Sequence, residues 1–357
     1  MNLSGAFAQH FRWAHDHGHF GASSPTAVVH AQEGVVQIVE TPVVVGGEES
    51  YGVLGPPVGW NQDAQVLPPY SVMAPASGAA VAAAPVASAS EPWELHYLPL
   101  GTIYRAYLAD VKESRLSARY FADQNRDWFF DFTLGGRFGL LRYGTRDALL
   151  PQGFQIDVEA AAMVRTNPQE SLDLESSDYR AGIPLSWSNG NWRTKLAYYH
   201  VSSHVGDEFQ LRNPGFMRLN YLRDSVVLGQ AWQATTDWRL YAEAEYAFNT
   251  DGGAEPWLFQ FGVEYSPFVP GANSPRWQAF NGTEEVFGAP FLAVHGNIRE
   301  EFDYSGTIIA QAGWQWRNLR DGRLLRIGGQ YLNGKSAQYQ FFNQLEEQLG
   351  VEIWYDF

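Results

Sequence analysis

The feature that most constrains this chain is the alternation of its last strand-like run, from Glu346 to Phe357. One face of that run carries Leu349, Val351, Ile353 and Tyr355, and the other carries Gly350, Glu352, Trp354 and Asp356. Period-two alternation predicts a β-strand, which would suit a soluble sandwich as well as a barrel. The free aromatic residue at the C-terminus, Phe357, is typical of the closing strand of a bacterial outer-membrane barrel.

The composition favours a membrane barrel over the sandwich. No apolar run approaches the roughly 20 residues that a spanning helix requires, and the longest, at 79–86, is broken by Pro85. The chain nevertheless contains 13 Trp, 18 Tyr and 22 Phe, and 15% of its residues are aromatic. Membrane barrels place such residues in lipid-facing bands and girdles while their lumen stays polar.

Charge and cysteine content exclude several classes of function. The formal net charge of −15 gives no basic patch for neutralising phosphates, so no nucleic-acid partner is expected. The chain has no cysteine, which excludes disulfide frameworks, thiolate metal sites and cysteine nucleophiles.

Residues 1–92 differ in composition from residues 93–357. They are rich in Ala, Pro, Gly, Val and Ser and hold five of the nine histidines, without a sustained period. Such a segment buries too little apolar surface to offset its ordering entropy, so a disordered tail is predicted. Residues 1–30 lack a basic region followed by an apolar region, and we therefore expect a misplaced start or an atypical export signal.

From about Leu98 onward the chain is a series of alternating runs. They cover 117–124, 127–143, 154–165, 179–188, 191–204, 216–234, 238–249, 257–266, 289–299, 305–317, 323–332 and 346–357. The dipeptide Asn189-Gly190 predicts a tight hairpin between two of them. About twelve strands, an even number, predict an all-β fold: a closed antiparallel transmembrane β-barrel. The connection 267–288 is long and is expected to cover one mouth.

Several charged residues on these runs fall on the face opposite the apolar residues. They are Arg137, Arg142, Glu159, Arg180 and Arg193. A small closed barrel usually has a charged, interdigitated lumen, so these side chains are predicted to point inward without binding a substrate.

The fifth run carries a histidine and a serine two positions apart, His200 and Ser202. Residues i and i+2 share a face of a strand, so the two side chains should project together. Their face also carries Tyr198, whereas Arg193 and Lys195 lie on the opposite face. The pair is therefore predicted to face lipid, where polar groups are costly unless they are used or hydrogen-bonded.

A serine hydroxyl becomes a competent nucleophile when an imidazole accepts its proton and a third group orients that imidazole. If the hairpin after Ser202 folds symmetrically about Gln210, Asn220 lies opposite His200. Asn220 is therefore the predicted third group, with Asp224 and Glu208 as substitutes.

A His-x-Ser near the outer end of a barrel strand, followed by an Asn on the next strand, resembles the outer-membrane phospholipase A family. It also resembles the lipid A deacylases. The resemblance implies that Ser202 is the nucleophile, His200 the base and Asn220 the orienting residue. It also implies a role for calcium, for which Asp207 and Glu208 are the candidate ligands.

A second resemblance covers residues 95–357. The blocks LPLGTIYRAYLADVKESRLSA, GGRFGLLRYG, DYRAGIPLSW, YYHVSSHVGDEFQLRNP and RLNY occur in order. In these blocks the chain is similar to domain-of-unknown-function family 1207. That resemblance implies an outer-membrane-type barrel and assigns no activity.

The sequence therefore predicts a barrel of the bacterial outer membrane that acts as a serine acyl hydrolase on phospholipid or lipid A. Two alternatives remain open: a non-enzymatic structural barrel, in which HVSSHVGDEF is a rigid loop entrance, and a small channel or transporter. The expected partners are outer-membrane lipids, the barrel-insertion machinery and a second copy of the chain.

Overall fold

The computed structural model describes residues 91–267 and 286–357. Thirteen strands are found there: β1 (Glu94–Tyr97), β2 (Leu116–Asp123), β3 (Trp128–Gly144), β4 (Gly153–Asn167), β5 (Asp173–Asn189), β6 (Trp192–Val205), β7 (Leu222–Gln233), β8 (Trp238–Asp251), β9 (Trp257–Tyr265), β10 (Val286–Arg299), β11 (Ser305–Asn318), β12 (Leu324–Lys335) and β13 (Leu345–Asp356). The short helix α1 spans Asp207–Arg212, and single 3₁₀ turns lie at Pro168–Glu170, Glu300–Phe302 and Tyr339–Phe341. Among the described residues, no helix is long and apolar enough to cross a membrane.

Strands β2 to β13 form a closed antiparallel barrel. Each pairs with the next strand along the chain, and β13 pairs with β2, with Ile353 opposite Ala118. The predicted twelve-stranded antiparallel barrel is thus confirmed for the described residues. The strand β1 was not predicted; it lies outside the closed cycle and pairs with the last residues of β3, with Glu94 opposite Gly144.

Some predicted boundaries need correction. The run 216–234 was expected to be one strand, but β7 begins only at Leu222, because α1 and an irregular stretch precede it. The tight hairpin predicted at Asn189-Gly190 is found one residue further along, at Gly190 and Asn191, because Asn189 pairs with Trp192. Gly190 adopts a φ of 62° that suits glycine. Of the long connection 267–288, residues 268–285 lie outside the described residues. The predicted disordered tail, 1–92, also lies outside them except for its last two residues.

The barrel is apolar outside and polar inside. On β13, Leu349, Val351 and Ile353 are 53%, 64% and 44% exposed, whereas Trp354 is 1% exposed and points inward. The same alternation runs along the other strands, because successive side chains of a strand point to opposite faces. We call the end at which β13 stops the C-terminal end, and the opposite end the loop end.

The lumen is filled by paired charges. Arg137 binds Asp157 at 2.5 Å, Lys195 binds Glu243 at 2.6 Å, and Arg239 binds Glu264 at 2.8 Å. The five charged residues predicted to point inward lie on this inner face: Arg137, Arg142, Glu159, Arg180 and Arg193. Pairing offsets the cost of burying charges that would otherwise be left without solvent.

The plug segment, residues 98–115, runs through the lumen without regular structure. Its residues Tyr104, Tyr107 and Ala109 are almost fully buried. Tyr107 donates a hydrogen bond to Glu243 at 2.7 Å, and its ring stacks on Tyr241 with centroids 3.8 Å apart. The sequence did not predict this plug.

Inward-facing arginines donate hydrogen bonds to the backbone carbonyl groups of the plug segment. Arg142 donates to the carbonyls of Leu100 and Gly101, each at 2.9 Å. Arg239 donates to the carbonyls of Arg105 and Ala106, at 3.0 and 2.8 Å. Irregular backbone is tolerated at membrane depth only where protein or water satisfies its polar groups. The wall arginines are therefore structural partners of the plug.

A cluster of apolar and aromatic side chains, the lid cluster, covers the loop end. It comprises Val201, Tyr221, Ala254, Phe302, Tyr339 and Phe342. Tyr221 and Tyr339 stack with ring centroids 4.5 Å apart. Most of these residues come from loops, and Lys112 of the plug segment lies over the Tyr339 ring, so the connections between strands meet the plug at the loop end.

Replacing Asp178 by alanine is expected to lower the free energy of unfolding by about 3–5 kcal/mol, since a buried cation loses its partner. The Asp178 carboxylate binds Lys112 of the plug, Ser203 of β6 and the backbone N–H of Tyr339 in the lid. Urea unfolding of the barrel in lipid vesicles would measure the change.

The matched control is Asp173→Ala. Asp173 pairs with Arg212 at the barrel surface, where the side chains are 32% and 29% exposed. An exposed ion pair is worth less than about 1 kcal/mol. Equal losses for the two variants would contradict the role of Asp178 in tying plug, wall and lid together.

Candidate functional site

The candidate site lies on the outer wall of β6. Trp192, Leu196 and Tyr198 are exposed on that face, whereas Arg193 and Lys195 are buried in the lumen. Alternation continues to the end of the strand, so His200 and Ser202 lie on the outer face as the pattern predicts. The His200 side chain is 40% exposed.

The partner of His200 is Asp224 of β7. The two residues are directly opposite each other in the sheet, and Nδ1 of His200 lies 2.8 Å from Oδ1 of Asp224. A contact between His200 and Asn220 was predicted, and the structure places Asn220 elsewhere: its Nδ2 donates to Asp251 at 2.7 Å. Asp224, which the sequence offered as a substitute, takes the position expected for Asn220.

Two further side chains hold the Asp224 carboxylate. Tyr198 donates its hydroxyl to Oδ1 at 2.8 Å, and Asn249 of β8 donates its Nδ2 to Oδ2 at 2.8 Å. With Nδ1 of His200 also directed at Oδ1, the carboxylate has three partners, two on β6 and one on β8. An ionised carboxylate so held favours the imidazole tautomer that carries its proton on Nδ1, leaving Nε2 as a proton acceptor.

Ser202 completes the candidate site. It lies between Tyr179 of β5 and Leu222 of β7 in the sheet. Successive same-face residues of a strand are about 6.6 Å apart along the chain, which is within the combined reach of an imidazole and a hydroxymethyl group. The arrangement places a serine hydroxyl, an imidazole and a carboxylate on one outward surface.

The depth of the site follows from the strand geometry. Trp192 is the first residue of β6 and lies at the C-terminal end of the barrel. It pairs with the exposed Trp232 of β7, and the centroids of their rings lie 6.0 Å apart. Ten residues of a strand tilted by about 40° rise about 25 Å along the barrel axis, which is about the height of an apolar band. Ser202, ten residues beyond Trp192, therefore lies at the upper edge of that band.

The predicted calcium ligands, Asp207 and Glu208, lie in the first turn of α1 and are exposed. No group of three or more His, Cys, Asp or Glu side chains with metal-binding geometry occurs in the parts of the chain that the structure describes. Two adjacent carboxylates on a short helix provide fewer oxygens than the six to eight that calcium takes. The structure therefore offers no built calcium site around this pair.

Sequence reasoning missed Tyr198 and Asn249 as partners of the site. Tyr198 shares a face with His200, so its place on the outer wall was available from the alternation. Asn249 could not be found this way, because its approach to Asp224 depends on an irregularity in the pairing of β7 with β8. Asp224 pairs with Asn249 and the next residue, Ser225, pairs with Ala247, leaving one extra residue in β8. Such a bulge re-aims a side chain.

The fold defines a class: an outer-membrane-type β-barrel with a polar, plugged lumen and an apolar outer wall. Within that class, the chain belongs to the family described as "Protein of unknown function (DUF1207)", which matches residues 66–357. The family resemblance inferred from the sequence blocks is thus confirmed. No curated protein sequence matches the chain.

Solved outer-membrane barrels show similarity at low identity. Outer membrane phospholipase A from Escherichia coli is 12% identical, with 70% of this chain and 91% of that chain covered and a TM-score of 0.41. The Salmonella typhi outer membrane phospholipase dimer with bound calcium is 13% identical, with 71% and 91% covered and a TM-score of 0.41. The KdgM porin is 8% identical, with 68% and 98% covered and a TM-score of 0.36. None of these assigns an activity to this chain.

Proposed function

We propose that this protein is a bacterial outer-membrane barrel that hydrolyses acyl esters of membrane lipids at Ser202. The observation that carries the proposal is the 2.8 Å contact between His200 and Asp224 on the outer wall, beside Ser202 on the same face. A histidine held by a carboxylate and flanked by a serine is the arrangement that activates a serine hydroxyl.

The membrane location rests on the outer surface of the barrel. Large apolar side chains such as Leu228 and Ile183 are 55% and 51% exposed on the strands beside β6. Contiguous apolar surface of this kind is stable only when it is covered, and a closed barrel leaves no strand edge unpaired in lipid. The loop end then faces outward if the C-terminal end is periplasmic.

The depth of Ser202 fits an ester substrate. Hydrocarbon fills a bilayer to about 30 Å, and the polar interfacial layers extend it to about 40–45 Å. Acyl ester carbonyls lie at the boundary between these regions. A nucleophile at the upper edge of the apolar band therefore meets the ester of a lipid that stands beside the wall, without the lipid leaving the membrane.

The reaction follows from the groups present. The Ser202 oxygen attacks the ester carbonyl carbon while Nε2 of His200 takes its proton, and Asp224 stabilises the imidazolium that forms. His200 then returns the proton to the departing alcohol oxygen as the carbon–oxygen bond breaks, leaving the acyl group on Ser202. Water, activated by the same imidazole, releases the fatty acid and regenerates the serine.

The channel alternative is less well supported. The plug segment occupies the lumen, and the lid cluster covers the loop end, so a solute could pass only if these segments moved. The wall charges that could select an ion, such as Arg239 and Glu264, already bind each other and the plug. In a structural barrel without activity, the His200–Asp224 contact would only satisfy two polar groups on the outer wall.

Outer-membrane lipids are both the surroundings and the substrate in this proposal. The barrel-insertion machinery and a second copy of the chain remain predicted partners. The division of the chain after residue 92 remains a prediction from composition. Calcium remains an expectation from the family resemblance and has no part in the reaction proposed here.

Replacing Asp224 by alanine tests the proposal directly. Removing the carboxylate of a serine triad typically costs about four powers of ten in rate, since the imidazole loses its orientation and its counter-charge. Acyl release from mixed micelles should therefore fall by at least about a thousandfold.

The matched control is Asn220→Ala. Asn220 was the third member predicted from the sequence, but its side chain binds Asp251. Its replacement should leave acyl release within a few-fold of the wild type, and both variants should keep heat-modifiable gel migration. Loss of activity in Asn220→Ala with retention in Asp224→Ala would reverse the assignment of the orienting residue.

A further inference from the structure

Two basic side chains lie next to the proposed nucleophile on the loop-end side. His204 is two residues beyond Ser202 on β6, on the same outward face, and it is exposed. Arg218, in the stretch between α1 and β7, reaches back so that its Nη2 lies 3.3 Å from Nδ1 of His204. A guanidinium and an imidazole therefore share one small area of the outer wall.

The contact leaves hydrogen-bond donors available. Because the guanidinium has only donors, Nδ1 of His204 is the acceptor, and the imidazole proton lies on Nε2. Within the described ranges no carboxylate forms a salt bridge with Arg218. The carboxylate of Asp251, at the loop end of β8, accepts from Asn220 and from the backbone N–H of Gly252. Arg218 thus keeps most of its five N–H groups and a full positive charge for an external anion.

The basic pair lies two residues further toward the loop end than Ser202. Two residues span about 6.6 Å along the strand, or about 5 Å along the barrel axis at a tilt of about 40°. The interfacial layer on each side of a bilayer is about 5–7 Å thick. A lipid whose acyl ester lies at Ser202 therefore carries its phosphate at the height of His204 and Arg218.

We infer that Arg218 and His204 form a subsite that binds the phosphate group of the lipid substrate. Arginine recognises phosphate through paired N–H donors, and the Nε2–H of His204 adds a third. The inference rests on the proposed hydrolase and narrows its substrate to phosphorylated lipids. The phosphate could belong to a glycerophospholipid or to lipid A, which share this chemistry.

Binding to a protein that cannot turn over its ligand tests the subsite. Ser202→Ala barrels in neutral detergent would be titrated with dioctanoyl phosphatidylglycerol and with dioctanoylglycerol, which lacks the phosphate. We expect tighter binding of the phosphorylated lipid, and Arg218→Gln should weaken that binding by roughly tenfold while leaving the neutral lipid unaffected. Lipid A with and without its phosphates, titrated in parallel, distinguishes the two sources.

The matched control is Arg320→Gln, which removes an exposed arginine from the turn between β11 and β12 at the C-terminal end. Equal binding of the phosphorylated and neutral lipids, or equal losses in Arg218→Gln and Arg320→Gln, would overturn the inference. His204→Gln provides a second variant, and it should weaken phosphate binding less than Arg218→Gln because it removes no formal charge. Heat-modifiable migration verifies that each variant forms a barrel.

The outcome is separable from that of the proposed hydrolase. Acyl release by the wild type is measured on the same lipids. Release without any effect of Arg218→Gln on lipid binding would retain the hydrolase and reject the phosphate subsite. Phosphate-dependent binding that needs Arg218, without acyl release, would retain the subsite and reject the hydrolase.

Discussion

Replacing Ser202 by alanine is expected to abolish acyl release from outer-membrane lipids, with a loss of at least about a thousandfold. The hydroxyl is the protein group that forms a bond to the acyl carbon in the proposed reaction. Because Ser202 faces outward and is not part of the buried core, the barrel should fold and insert as the wild type does. Fatty-acid release from vesicles, measured by mass spectrometry, gives the rate, and heat-modifiable migration gives the fold.

Ser305→Ala is the matched control. Ser305 is an exposed serine at the loop end of β11, and its hydroxyl donates to the carbonyl of Phe302. Its hydroxyl binds a backbone carbonyl and no histidine of the described residues, so its loss should leave acyl release unchanged. Retention of full activity by Ser202→Ala would exclude Ser202 as the nucleophile and would favour a barrel without catalytic function. Trapping of an acyl group on Ser202 of the wild type would provide positive evidence.

The strands of this fold could be predicted closely from the sequence, because lipid outside and charge inside impose opposite preferences on alternate residues. On β6 the alternation of Trp192 and Arg193 already separates the two faces, and it places His200 and Ser202 outward. A shift of one residue would exchange the faces, so the pattern fixes each strand's orientation strongly.

The partner of His200 could be predicted only approximately. A symmetric hairpin about Gln210 would pair His200 with Asn220, but the observed partner is Asp224, four residues further along. The connection contains α1 and the irregular stretch 213–221, which displace the register. An even displacement keeps the same face of β7 outward, which is why the prediction had the correct surface and the wrong residue.

The plug segment could not be predicted, because it has no period of its own. Its backbone carbonyls accept hydrogen bonds from side chains that are distant in the sequence, such as Arg239. Local sequence patterns do not reveal such partners. The inward arginines were visible in the sequence, but a charged lumen needs no plug to explain it. Only the three-dimensional structure shows that the wall charges and the plug satisfy one another.

Deleting residues 102–113 is expected to open the barrel. Gly101 and Ser114 line the same small cavity, of about 40 Å³, at the C-terminal end, so a short Gly-Ser linker can join them. Loss of the segment frees the space that Tyr104 and Tyr107 fill and leaves polar wall residues to be hydrated. In planar bilayers the wild type should show no steady current, and the deletion variant should show ohmic conductance once the lid cluster is also opened.

Inserting the same Gly-Ser linker between Gly190 and Asn191 is the control for the deletion. The insertion lies in the two-residue turn between β5 and β6 and leaves the plug segment in place, so the variant should remain non-conducting. Because the lid cluster also narrows the loop end, the deletion should be combined with Phe342→Ala in a second variant. Silence of both deletion variants would show that the segment does not seal the lumen. A steady current through the wild type would instead favour the hypothesis that the protein is a channel, since a sealed lumen cannot carry ions.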